Sequence, residues 1–140
     1  MKTHKTYNIG MLQVKAYRKL QLYFESLLSK YDLGLPEWAL IGLLRENQAL
    51  TTSQLAALLS VKPSFVTRTT KELAVKGYIE KRIDDKDSRL IHICLSSMGQ
   101  QRADNIEREI KKSLKDYLSS IDKDALSIYL NVLNKIANLA

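Results

Sequence analysis

Four polar or basic side chains recur at helical spacing near the middle of the chain: Ser64, Thr67, Arg68 and Lys71. Positions i, i+3, i+4 and i+7 share one face of an α-helix, so these groups form a stripe, and the stripe contains no acid. An arginine can donate two hydrogen bonds to O6 and N7 of guanine, a hydroxyl can reach bases or phosphates, and a lysine can pair with phosphate. The stripe therefore predicts contact with DNA, and the alternative for an isolated helix is an ordinary solvated face.

A second charged group lies at residues 84–89, which read Asp-Asp-Lys-Asp-Ser-Arg. It separates two segments, 78–83 and 90–95, in which side chains of alternate character are typical of β-strands. The pattern predicts a β-hairpin with a projecting charged tip. We expect Lys86 and Arg89 to be the DNA-contacting cations of that tip.

The periodicity of apolar residues predicts the helices that must position these groups, at 8–31, 36–46, 52–59, 63–76, 97–118 and from 122 to the end. Thr51 and Gln54 have the spacing of a capping box, Pro63 suits a first helical turn, and Gly77 ends the helix that carries the stripe. The predicted fold is mainly α with a small β-hairpin wing. The order helix, turn, helix, hairpin over 52–95 is that of a winged helix-turn-helix, whose second helix lies in the DNA major groove.

The charge balance favours a polyanionic partner. The formal net charge is +7, and residues 51–95 carry eight Lys and Arg against five Asp and Glu. Basic side chains neutralise phosphates and release their counterions, which drives binding to nucleic acid. The length of 140 residues fits a single domain, 1–140.

Several other classes of protein fit the sequence poorly. Cys94 is the single cysteine, so no disulfide forms within the chain; we interpret it as a passive strand residue rather than a redox sensor. His4 and His92 make no metal-ligand pattern with it, and no phosphate loop or catalytic nucleophile is recognisable. We therefore expect no metal, no cofactor and no enzymatic activity. Without a secretory signal or an apolar run near ~18 residues, we expect a cytoplasmic protein that does not enter the membrane.

The sequence resembles the MarR family of bacterial regulators over nearly its whole length. The opening of the second helix, Leu35-Pro-Glu-Trp-Ala-Leu40, carries part of the resemblance. The rest is carried in order and at matching spacing by Leu59-Ser-Val61, Thr67-Arg68, Leu73, Lys76-Gly77, Arg82, Asp87-Ser-Arg89 and Leu95-Ser-Ser-Met-Gly99.

The resemblance implies a homodimer that binds double-stranded DNA at a pseudo-palindromic operator. Residues 8–31 and 97–140 would be dimerisation helices, and 36–95 the winged lobe. Thr67 and Arg68 would lie on the recognition helix, and Arg89 at the wing tip would enter the minor groove with Asp87 holding it. Repression is the family's usual mode, and many members respond to small aromatic or phenolic anions.

Some positions depart from the family pattern. Ser96 stands where threonine is usual, although serine is also a good helix N-cap. Pro63 and Phe65 are particular to this helix start and leave the base preference open. The competing hypotheses are a winged-helix module that binds proteins instead of DNA, and a small enzyme.

Overall fold

The computed structural model describes residues 5–140, so His4 lies outside the described residues. The helices and the hairpin predicted from the sequence are present, with most ends shifted by one to three residues. No helix within 5–140 is long and apolar enough to cross a membrane. The elements in chain order are α1 (Thr6–Ser29), α2 (Leu35–Glu46), β1 (Leu50–Thr51), α3 (Thr52–Leu59), α4 (Pro63–Val75), β2 (Ile79–Ile83), β3 (Ile91–Leu95), α5 (Ser97–Tyr117) and α6 (Lys123–Ala137).

The predicted hairpin is present as β2 and β3, and the short strand β1 adds a third strand, so that the antiparallel sheet of the wing has the strand order β1-β3-β2. Leu50 of β1 pairs with Ile93, while β2 and β3 pair from Ile79 with Leu95 to Ile83 with Ile91. A strand of two residues is too short to display alternation, which is why the pattern missed β1.

Thr51 ends β1 and begins α3 through the predicted capping box. Its Oγ1 accepts a hydrogen bond from Gln54 N at 3.2 Å, and its own backbone N–H donates to Gln54 Oε1 at 2.9 Å. Two backbone donors at the helix start are satisfied in this way. The short α3 therefore begins at a fixed point next to the sheet.

The helix-turn-helix is formed by α3 and α4. Val66, Thr70 and Leu73 stand at i, i+4 and i+7 on one face of α4 and are buried, and Leu55 of α3 is fully buried as well. Burying a Val or Leu side chain contributes about 1.5–3 kcal/mol relative to leaving it exposed. Ser60, in the left-handed region at φ 55°, ends α3. The packing fixes which face of α4 is left for a partner.

The C-terminal end of α4 is tied to the wing and to the start of α5. Ser96 Oγ donates to the carbonyl of Gly77 at 2.6 Å and accepts from Gly99 N at 2.9 Å, so serine does act as an N-cap here. Gly77 has φ 84°, a conformation that favours glycine. A Cβ on Gly99 would lie 2.0 Å from the carbonyl oxygen of Tyr78, so only glycine fits there.

A partly buried ion pair joins the end of α4 to the start of α2. Lys76 Nζ lies 3.1 Å from Glu37 Oε2 and 2.5 Å from the carbonyl oxygen of Asp32. Burial disfavours the charged ammonium group. The hydrogen bond and charge of Glu37, with Asp32 and Glu72, outweigh that effect and raise the pKa of Lys76 above 10.5.

Internal contacts divide the chain into one unit up to Ala103 and a second from Asp104. In the second unit, Ile106 and Ile110 of α5 are buried. The Asp122 side chain caps α6 by accepting from the backbone N–H groups of Asp124 and Ala125. No residue of Lys123–Ala137 is buried.

Candidate nucleic-acid interface

The stripe predicted on the second helix of the pair lies on the exposed face of α4. Ser64, Thr67, Arg68 and Lys71 are all exposed, on the side of the helix away from its buried residues. Because α4 packs through one face on α3, the other face is available to a flat or grooved polyanion. The arrangement presents two cations and two hydroxyl groups along about two turns of helix.

Thr67 is less free to donate than its position indicates. Its Oγ1 donates a hydrogen bond to the carbonyl oxygen of Pro63 at 3.0 Å. While this bond holds, the hydroxyl proton is occupied, and the side chain offers lone pairs and a methyl group. Thr67 therefore suits an acceptor contact or an apolar contact with a base better than a donor contact.

Arg68 rests against an aromatic ring that the sequence analysis did not assign to the site. Its guanidinium carbon Cζ lies 5.4 Å from the centre of the half-buried Phe65 ring, within the range of a cation–π interaction. The two side chains, with Val61, Lys62 and Ser64, line an open concavity of about 390 Å³. The signal that could have found Phe65 is its i, i+3 spacing from Arg68 on one helix.

The charged tip of the wing holds its arginine by a carboxylate. Arg89 Nε donates to Asp87 Oδ1 at 3.1 Å, and the backbone N–H of Arg89 donates to the same oxygen at 3.0 Å. The Arg89 side chain is 89% exposed and that of Asp87 36%. Lys86 is also exposed. The two cations of the tip are therefore accessible, and Arg89 has a defined direction.

Asp84 organises the backbone of the same loop, a role that the charge pattern of the tip did not indicate. Its Oδ2 accepts from the backbone N–H groups of Lys86 and Asp87 at 2.9 and 2.8 Å, while its Oδ1 lies 2.9 Å from His92 Nε2. The hydrogen bond with His92 and those two backbone bonds lower the pKa of Asp84. Asp bonding to backbone two residues on is typical of turns, which was the available signal.

The remaining candidate chemistry has structural explanations. The Cys94 thiol is buried in β3, with Sγ 3.7 Å from the carbonyl oxygen of Glu80, which favours the passive strand residue over a reactive thiol. Within residues 5–140, no three His, Cys, Asp or Glu side chains are grouped so that they could hold a metal ion.

Comparison with known proteins finds similarity to one family. The sequence profile of the MarR family matches residues 33–91, which run from the start of α2 through the helix-turn-helix to the beginning of β3. Over this span the chain is MarR-like, as its sequence resemblance predicts. The family is one of DNA-binding transcriptional regulators and not of enzymes.

Two curated relatives of this chain come from Bacillus subtilis strain 168. The HTH-type transcriptional regulator YwaE is 25% identical over 125 residues, which is 89% of this chain and 73% of the relative. The HTH-type transcriptional repressor MdtR is 23% identical over 124 residues, 89% of this chain and 80% of the relative.

A solved structure shares the fold of nearly the whole chain. It is a mutant MarR from Escherichia coli complexed with operator DNA, with a TM-score of 0.82 and 20% identity. The match covers 95% of this chain and 99% of that one. The winged helix-turn-helix predicted from the sequence is therefore confirmed as the fold.

Proposed function

We propose that this MarR-like chain is a cytoplasmic repressor that binds a pseudo-palindromic operator as a homodimer. The observation that carries the proposal is the exposed, acid-free stripe on α4, formed by Ser64, Thr67, Arg68 and Lys71. Its helix is held by a buried opposite face, as a recognition helix in the major groove requires. The repressor name of MdtR supports the sign of regulation.

The wing supplies the second contact of each protomer. Arg89 and Lys86 project from the β2–β3 loop, and Arg89 is oriented by Asp87. A narrow minor groove has an enhanced negative potential that attracts an inserted arginine. In this proposal, α4 reads base edges and the wing probes the flanking minor groove.

The dimer part of the proposal rests on apolar surface that each unit leaves exposed. Large apolar side chains are exposed along α1, including Tyr7, Ile9 and Leu22, and along α6, including Ile128, Leu130 and Ile136. Contiguous exposed apolar patches mark interaction sites, and a homodimer with two-fold symmetry covers the same patch on both chains.

Light scattering tests the dimer. At micromolar concentration, we expect about twice the chain mass of 16.0 kDa. Leu130→Asp should shift the mass toward that of one chain, whereas Val75→Asp, at an 86% exposed position on α4, should leave it unchanged. A monomer that still binds DNA tightly would contradict the proposal.

Binding to the upstream region of its own gene tests the function directly. A gel-shift titration should show saturable binding of the parent and much weaker binding of a variant that carries Arg68→Ala and Lys71→Ala together. A protein-interaction module would bind neither this duplex nor a random one. Equal affinity for specific and random duplexes would exclude sequence-specific regulation.

The effector part follows the family resemblance. We propose that a small aromatic or phenolic anion binds the dimer more tightly when its two winged lobes have the spacing of the DNA-free state than when they have that of the DNA-bound state. The anion thereby releases the operator. Salicylate should weaken operator binding in a saturable manner. Unchanged affinity across a broad panel of aromatic acids would contradict this step and leave the DNA-binding proposal intact.

A further inference from the structure

The first turn of α4 brings an aromatic ring and an arginine together at the edge of the stripe. Phe65 is half-buried, and the Cζ atom of Arg68 lies 5.4 Å from its ring centre. Both side chains line the open concavity of about 390 Å³. In a helix-turn-helix, the N-terminal residues of the recognition helix are the ones that meet base edges. The pair therefore occupies the position at which bases would be read.

The two groups offer complementary chemistry at short range. A guanidinium group donates two bonds to guanine, while an apolar surface such as a phenyl ring contacts the C5-methyl group of thymine. Their separation of 5.4 Å exceeds one base step of about 3.4 Å and is less than two. Phe65 and Arg68 are thus spaced to contact neighbouring base pairs.

We propose that Phe65 and Arg68 form one reading unit, in which Arg68 bonds guanine and Phe65 packs on the methyl group of a thymine in the neighbouring base pair. The inference rests on the proposed function because it requires α4 in the major groove. The ring also restricts the guanidinium group through a cation–π contact, which orients the arginine without neutralising it. Phe65 is thereby a specificity-determining residue.

Replacing thymine by uracil tests the methyl contact, because the exchange removes that methyl group alone. The duplex is selected by the parent protein from a randomised library, and each thymine is then replaced by deoxyuridine in separate duplexes. Fluorescence anisotropy should show one position per half-site at which uracil weakens parent binding about fourfold, the effect of burying one methyl-sized group. That position should neighbour the guanine whose preference is lost in Arg68→Ala.

Variants of Phe65 assign the effect to the ring. In Phe65→Ala, the ratio of the dissociation constants for the uracil and thymine duplexes should fall to about one at that position. The effects at other thymines should persist. Phe65→Leu keeps apolar bulk but loses the ring face under Arg68. It should therefore retain the preference for thymine and lose part of the preference for guanine. Phe65→Tyr should restore both.

The outcomes separate the inference from the function on which it rests. The inference is overturned if the selected site has no thymine beside that guanine, or if uracil there leaves parent binding unchanged. The uracil measurement uses the parent protein alone and so does not depend on how well a variant folds. An equal uracil effect in the parent and in Phe65→Ala also overturns it. Failure of the parent to select any duplex overturns the proposed function itself.

Discussion

Arg68 on α4 and Arg89 on the wing are oriented by opposite means. Arg68 lies on a helix with a buried face and rests on the uncharged ring of Phe65. Arg89 lies on a loop and is paired with the carboxylate of Asp87. A ring directs a guanidinium group and leaves its full charge for a ligand. A carboxylate directs it and removes one net positive charge from the surface that we propose contacts phosphate.

Within the proposed function, the difference suits the two arginines to different tasks. A fixed helix with an undiminished charge suits recognition of one base. The exposed pair at the wing contributes little on its own, about 0.2–1 kcal/mol for such surface pairs, so it can open or rearrange at small cost when DNA arrives. Arg89 therefore suits a groove whose width varies more than its chemical pattern.

The largest expected effect is that of removing Arg68. Arg68→Ala should cost about 1–3 kcal/mol per guanine contact and relax the preference at one base pair of each half-site. Binding to single-base variants of the operator measures both. Arg68→Lys is the matched control, because it keeps the charge and loses the planar fork, so it should recover affinity and not discrimination. Full sequence discrimination in Arg68→Ala would refute the assignment of the reading face.

A smaller and different loss is expected for Arg89→Ala. Binding should weaken. The slope of log K against log salt concentration should fall by about one unit per lost phosphate-type contact. The preference for A·T at the outer edges of the site should also decrease. A salt-titrated binding series measures these changes. If Arg89→Ala binds like the parent at every salt concentration, the wing does not touch DNA.

Replacing Asp87 tests whether this residue acts by orienting Arg89 or only by its negative charge, because the two roles predict opposite changes in operator affinity. If Asp87 orients Arg89, Asp87→Ala should weaken operator binding even though it removes a negative charge from the wing. Asp85, exposed in the same loop, is the control, because Asp85→Ala removes the same charge and should tighten binding slightly. The measurement is the pair of dissociation constants at one salt concentration. Equal tightening by both changes would mean that only charge matters.

The smallest effect concerns pH. Hydrogen bonds from His92 and from the backbone of Asp87 and Lys86 hold the pKa of Asp84 below its ordinary 3.8. The stabilisation of the folded loop by these hydrogen bonds is therefore fully present above pH 3.8. It is lost as the pH falls through the lower pKa that Asp84 has in the folded protein. Amide NMR shifts of Lys86 and Asp87 should titrate with a midpoint below 3.8, and not in Asp84→Asn. The Phe65 ring signals are the control and should stay constant in that window, since Phe65 lies on α4 and outside the loop that Asp84 organises. A midpoint at or above 3.8 would contradict this account.

The sequence predicts the helix that carries the stripe well because its boundaries and its buried face have local causes. Pro63 begins α4, Gly77 follows its end, and the spacing of Val66 and Leu73 gives its inward face. Thr69 was not expected in the interior, yet it is buried because its hydroxyl group donates to the carbonyl oxygen of Phe65. The periodicity of apolar residues does not predict the burial of a polar residue whose hydrogen bond is satisfied within its own helix.

The contacts that orient Arg68 and organise the wing loop are harder to predict from the sequence. The cation–π contact of Phe65 and the loop bonds of Asp84 depend on side-chain rotamers, which spacing alone does not determine. β1 forms because Leu50 and Thr51 meet β3, a partner more than forty residues away in the chain. Such pairings depend on tertiary structure and leave little trace in a two-residue segment.

The junction at Gly99 has a consequence for the evolution of binding sites. Ser96 bonds the carbonyl group of Gly77, and Gly99 packs closely against that of Tyr78, so the end of β3 is held against the residues that follow α4. In the proposed mode of binding, α4 and the wing therefore contact DNA at a fixed separation. One inserted base pair between their two subsites would separate them by about 3.4 Å and turn them by about a tenth of a helical turn. We therefore expect a half-site to tolerate a changed base pair better than an inserted or deleted one.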